Sequence, residues 1–127
     1  MSAIARCGAS LPAACADTAD EPAIDLVHLA RQTDNDRALE DELLALFDRQ
    51  SASLLAQLSH AGAAVRARVD AAHTLRGSAL ALGAGAVARA ALALETALQA
   101  GGADEGELET LALAVEQARA AIARLRG

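Results

Sequence analysis

The chain has no tryptophan, no tyrosine and no lysine, and Phe47 is the single aromatic residue among 127. Without aromatics, its 54% hydrophobic content must come mainly from Ala, Leu and Val. That palette favours closely packed helices over a sheet. With lysine missing, all eleven basic residues are arginine, which together with the abundant alanine suggests a GC-rich, bacterial genome. A basic excess is also missing. At a net charge of −6 the chain lacks the positive face that general nucleic-acid binding requires. No apolar run approaches the roughly 18 residues that span a bilayer, so a soluble, cytoplasmic protein is expected. Cysteine is scarce, and both Cys7 and Cys15 fall near the N-terminus, where they read as incidental reduced thiols.

A chain of 127 residues is enough for one domain and little more. Residues 1–21 are small, polar and aperiodic, and are expected to form a flexible tail ahead of a domain spanning 22–127. Leu11 to Cys15 looks superficially like a lipoprotein cleavage site, but Pro12 stands where an aliphatic residue is usual and Arg6 interrupts the apolar region. Secretion is therefore not expected. Pro22 marks the start of order, and a short helix is predicted over about 23–32, with Ile24, Val27 and His28 near one another and Leu26, Leu29 and Ala30 adding apolar surface. Thr33 to Asp36 should break it. A long helix follows over about 36–60, with Leu39, Leu43, Leu46, Phe47, Leu54 and Leu58 as its apolar stripe. His60 near its C-terminus suits the dipole, and Gly62 should supply a left-handed cap. The next helices are predicted over 64–82 and 86–99, the second with a stripe of Val87, Ala91, Leu94 and Leu98. Gly83 to Gly85 should make the reversal between them, and Gly101-Gly102 should end the second. The last helix opens at Asp104 or Glu105 and carries Leu108, Leu111, Val115, Ala118, Ile122 and Leu125 as a bundle seam. Short loops join antiparallel neighbours. The predicted fold is all-α, an up-down-up-down antiparallel four-helix bundle with a short additional N-terminal helix.

The helix over 64–82 holds the most informative stretch, Ala72 to Leu82. At roughly 100° per residue, Val69, Ala72, Leu75, Ala79 and Leu82 share one apolar sector. His73 then points about 120° from the centre of that sector, towards solvent or a partner. Gly77 lies one turn later on the same side, at a cost of roughly 1 kcal/mol against alanine. Space for the imidazole and whatever approaches it would compensate that cost. Arg76 puts a permanent cation within reach of an anion carried on His73. Leu80 adds an apolar contact on the same side, and Arg66 and Asp70 lie one to two turns before His73 as candidate partner contacts.

This arrangement suits a phosphoryl carrier, and it resembles the histidine phosphotransfer (HPt) domain. The family motif His-x-Leu-Lys/Arg-Gly-Ser stands here as His73-Thr74-Leu75-Arg76-Gly77-Ser78. Leu82-Gly83-Ala84 and the pair Leu94-Glu95 follow in order. The resemblance implies that His73 accepts a phosphoryl group from the aspartyl-phosphate of a receiver domain and passes it to another receiver in a two-component phosphorelay. An unperturbed imidazole pKa of about 6.5 leaves a neutral, nucleophilic nitrogen at cytosolic pH. Arg76 would stabilise the transferring oxygens, and Gly77 would give steric access. The implied partners are response-regulator receiver domains and a histidine kinase. Magnesium is expected on the receiver, with no cofactor on this chain. There is no ATP-binding motif and no glycine-rich phosphate loop, so a carrier without kinase activity of its own is expected.

Several residues have plainer readings. Ser78 is expected to bond back to the carbonyl of Thr74. Arg68 falls inside the apolar sector, with its stem expected to snorkel out near the helix end. Glu95 matches a position from which relatives present a polar residue to the active histidine, although a carboxylate there would repel a phosphoryl group. Asp25 with His28, and Asp70 with His73, stand at i, i+3 as in di-iron bundles, but Asp70 and His73 point outward and such a site would not close. The second functional reading is a non-phosphorylated helical adaptor that binds a receiver or kinase. The intact His73, Arg76 and Gly77 weigh against it, because an adaptor needs no nucleophile. A monomer is expected.

Overall fold

A computed structural model describes residues 21–60, 62–102 and 104–127. The expected tail, with Cys7 and Cys15, lies outside the described residues apart from Glu21. Five helices follow in order: α1 Leu26–Thr33, α2 Arg37–Ser59, α3 Val65–Leu82, α4 Gly85–Ala100 and α5 Glu105–Arg126. Local chemistry sets most of their ends. Asp25 caps α1 by accepting from the backbone N–H groups of Val27 and His28, each at 3.1 Å, and Asp36 caps α2 by accepting from Leu39 at 3.1 Å. Three helices close with the same pair of reversed bonds, in which the second residue past the helix donates five positions back: Asn35 to Ala30, Ala84 to Ala79 and Gly102 to Ala97. The left-handed residue this closure needs is Gly83 in α3 (φ 85°), Gly101 in α4 (φ 74°) and Asp34 in α1 (φ 53°).

The end of α2 departs from expectation. Gly62 is not left-handed, and His60 ends the helix in an extended conformation with φ −79° and ψ 105°. The imidazole makes the turn instead, its Nδ1 accepting from the backbone N–H of Gly62 at 3.3 Å. A side-chain acceptor has replaced the glycine closure.

The four long helices pack as a ring, α2 on α3, α3 on α4, α4 on α5 and α5 back on α2, while α1 lies across α2 and α3. Alanine makes this tight: Ala72, Ala79, Ala91 and Ala118 are fully buried among Leu58, Leu75, Leu94, Leu111 and Ile122. The stripes predicted for α3 and α4 are the buried ones, with Val69 only partly covered. The stripe predicted for α2 is partly wrong. Leu39 and Leu46 are exposed, and the buried row is Leu44, Phe47, Ser51, Leu54 and Leu58, spaced three, four, three and four. Ser51 hides the row in the sequence, because its hydroxyl is silenced locally by donating to the Asp48 carbonyl at 3.3 Å. Leu26, Val27 and Leu125 are likewise exposed, and the N-terminal segment anchors through Ile24 and Leu29.

Arg68 does not snorkel outward. Its Nε donates to the Leu58 carbonyl at 3.0 Å and its Nη2 pairs with Asp104 at 2.6 Å, both side chains largely buried. One guanidinium thus satisfies an orphan carbonyl at the end of α2 and ties it to the start of α5. Arg119 also pairs with Asp48 at 2.8 Å and Arg126 with Asp41 at 2.9 Å, stitching α5 to α2 along their length.

Candidate functional site

The site is positioned by the register of α3. Ala72 and Leu75 are fully buried, which fixes the helix rotation and turns His73 out; its side chain is 67% exposed. On α4, Leu94 is fully buried, so the next residue, Glu95, lies at the edge of the α3–α4 contact. Glu95 Oε2 sits 3.3 Å from His73 Nδ1. The carboxylate is only 14% exposed, and its other oxygen, Oε1, is enclosed without a hydrogen-bond partner among the described residues. One edge of the imidazole is therefore taken by a carboxylate, and the Nε2 edge remains for chemistry.

The surroundings of that edge are open. A Cβ placed on Gly77 would meet nothing within 4 Å, so the space one turn past His73 is free. Arg76 is half-buried and has no ion-pair or hydrogen-bond partner among the described residues. Leu80 is exposed two turns beyond His73. Arg66 and Asp70 form a solvated i, i+4 pair at 3.6 Å, and a pair of that kind contributes little to stability. The structure thus brings His73, Arg76, Gly77 and Leu80 onto one surface, with Arg66 and Asp70 turned toward each other at its edge.

One correction concerns a neighbour of the site. Ser78 does not bond to Thr74; its hydroxyl is 3.0 Å from Gln50 Oε1 on α2 and donates to it, tying the two helices beside Gly77. Gln50 was invisible from α3 alone, since it lies 28 residues earlier on another helix. Asp25 caps α1, Asp70 pairs with Arg66, and the carboxylate beside His73 is Glu95. Farther along α4, Arg89 is bound through both terminal nitrogens to Glu21, and that hydrogen bonding holds the guanidinium above its ordinary pKa against the opposing pull of burial. Arg76 is thus the partner-free guanidinium closest in sequence to His73.

The arrangement can accept an electrophile on one imidazole nitrogen while a carboxylate holds the other. The Hpt domain family model matches residues 42–126, which takes in all of α3 and α4 and leaves α1 outside. No curated protein and no solved structure matches the chain. Hpt domains are phosphocarriers that perform histidine phosphotransfer in phosphorelays, and on this match the chain belongs to the Hpt domain family.

Proposed function

We propose that the domain over residues 22–127 is a phosphohistidine carrier in which His73 is the acceptor. Its Nε2 lone pair attacks the phosphorus of an aspartyl-phosphate on a receiver domain. The N–P bond forms as the P–O bond to the aspartate breaks, and the aspartate leaves as a carboxylate. The Nδ1 proton stays on the ring, facing Glu95. The reverse step delivers the group to the aspartate of a second receiver. The carrying observation is the exposed His73 with Glu95 3.3 Å from its Nδ1.

Glu95 acts here as a positioning residue. Facing Nδ1, it favours the tautomer that leaves Nε2 unprotonated, and it stabilises the positive charge the ring gains as the N–P bond forms. Repulsion of the phosphoryl group is limited because Glu95 and Nε2 lie on opposite edges of the ring. Arg76 supplies the cation for the equatorial oxygens, and open space at Gly77 admits the partner. The acidic pocket and its magnesium belong to the receiver, and no metal is assigned to this chain. Phosphorelay partners of this kind are cytoplasmic, which fits the observation that no helix among the described residues is long and apolar enough to cross a membrane. We take the carrier to be a monomer without kinase activity.

The test is transfer from a panel of radiolabelled receiver domains to the wild-type chain and to His73→Gln. Acid-labile, base-stable label on wild type alone supports the reading. Receivers that bind both chains equally and label neither would replace it with the adaptor.

A further inference from the structure

Two side-chain atoms among the described residues are enclosed and without a partner: Glu95 Oε1 and His28 Nε2. A buried polar group is normally paired, so each marks a place where the isolated chain is incomplete. Glu95 belongs to the site above. His28 does not, yet it lines a cavity of about 230 Å³ with Glu21, Pro22, Asp25, Leu80 and Gly83. Leu80 stands seven residues after His73, almost in line on the helix and roughly 10 Å along its axis. A partner covering roughly 800 Å² around His73 extends about 16 Å from it and so lies over the mouth of this cavity.

We propose that this cavity is a specificity pocket, taking a cationic side chain, arginine or lysine, from the receiver docked on His73. The inference rests on the carrier reading of His73. Its chemistry follows from what each wall has left over. Glu21 is neutralised by Arg89. Asp25 spends Oδ1 on the cap of α1, and its Oδ2 has no hydrogen-bond partner among the described residues. The pocket therefore presents one uncompensated carboxylate, that of Asp25, over the apolar flank of Leu80, with the ring of His28 in its wall and the unpartnered Nε2 enclosed behind it. A long cationic side chain matches that set, its aliphatic stem on Leu80 and its N–H donors on Asp25 and His28. Contact with His28 requires its ring to turn about the broad χ2 torsion as the partner docks, because Nε2 is enclosed in the isolated chain. The polar wall, Glu21, Asp25 and His28, lies outside the stretch matched by the family model, 42–126. Phosphotransfer itself is common to the family; this wall would discriminate among receivers.

The experiment titrates purified receiver domains against the full chain, as wild type, Asp25→Asn, His28→Leu and the double variant, while label transfer to His73 is followed in parallel. Asparagine caps a helix as well as aspartate, so Asp25→Asn removes charge without removing the cap. Thermal melts verify that each variant folds. The expected result is a rise in Kd and KM of about fivefold to tenfold in the double variant, the size of one partly desolvated charge pair, with a flatter dependence on salt. The rise should be confined to receivers that carry a basic side chain on the docking surface. Affinities unchanged within twofold, or an equal loss across receivers with and without that side chain, would overturn the pocket. Wild type that binds receivers but takes no label removes the carrier reading and leaves the affinities to decide the pocket. Wild type that binds no receiver removes both.

Discussion

The α2–α5 edge and the α3–α4 face of this bundle are built on opposite terms. Along α2–α5 the charges are matched: Asp48 with Arg119 and Asp41 with Arg126. The bond to Asp41 holds the Arg126 guanidinium above its ordinary pKa. On the α3–α4 face the same kinds of group are left open. Arg76 has no partner among the described residues, one oxygen of Glu95 is enclosed and unpaired, and His73 and Leu80 stand out in solvent. An enclosed, unpaired carboxylate oxygen costs about 1–3 kcal/mol. The difference separates a surface whose charges the chain pairs by itself from one that, on the carrier reading proposed above, a receiver would complete.

The largest effect should come from the nucleophile. His73→Gln is expected to abolish label transfer while leaving the melting temperature within about 2 °C, because an exposed side chain carries little of the fold. Loss of stability on that substitution would erase the contrast between the two regions. Arg68→Ala should show the inverse. It removes hydrogen bonds to Leu58 and Asp104, and about 2 kcal/mol of stability should go with them in urea unfolding. Transfer per folded molecule should be unchanged, since Arg68 is a turn and more from His73.

Glu95 sits between the two cases. Glu95→Ala is expected to slow transfer about tenfold, the scale of one lost charge-assisted contact, and to raise stability by about 1 kcal/mol by removing the unpaired oxygen. Glu95→Gln keeps an acceptor for the Nδ1 proton and should recover a good part of the rate. Equal rates for the two variants would show that Glu95 does not orient the ring. A fall in stability with Glu95→Ala would mean that its carboxylate belongs to the fold.

What the sequence reveals about these regions follows the range of the interaction. Helix ends are legible to within three residues because they depend on neighbours: Asp36 caps its own helix, and Gly83 closes the one it follows. The exposure of His73 was legible for the same reason, since one periodic stripe fixes it. Pairings across helices were not. Arg68 finds Asp104 36 residues on, and Ser78 finds Gln50 28 residues back; no periodicity within α3 names either partner. Ser51 obscured the buried row of α2, since a serine with a local acceptor can occupy the core while reading as polar. Glu95 was visible only through the resemblance to a family motif, and its 3.3 Å approach to Nδ1 required the packing of α4 on α3.

The smallest predicted effect separates the two regions most sharply, because it should carry opposite signs. Gly77 lies in mid-helix with ordinary helical geometry, and a Cβ there would meet nothing within 4 Å. Within the isolated chain, Gly77→Ala therefore has only a benefit, about 0.5–1 kcal/mol of helix propensity, read as a rise in the urea midpoint at constant slope. Against a partner the same methyl group occupies the space one turn past the reacting nitrogen. Transfer from a receiver should slow severalfold while the protein grows more stable. A gain in stability with transfer unchanged would show that the partner does not approach along Gly77, and the glycine would then have no functional account. A loss of both would place Gly77 among the packing residues, against the open space around it. Only the combination of a firmer helix and a slower transfer matches a glycine retained for the sake of the docked complex.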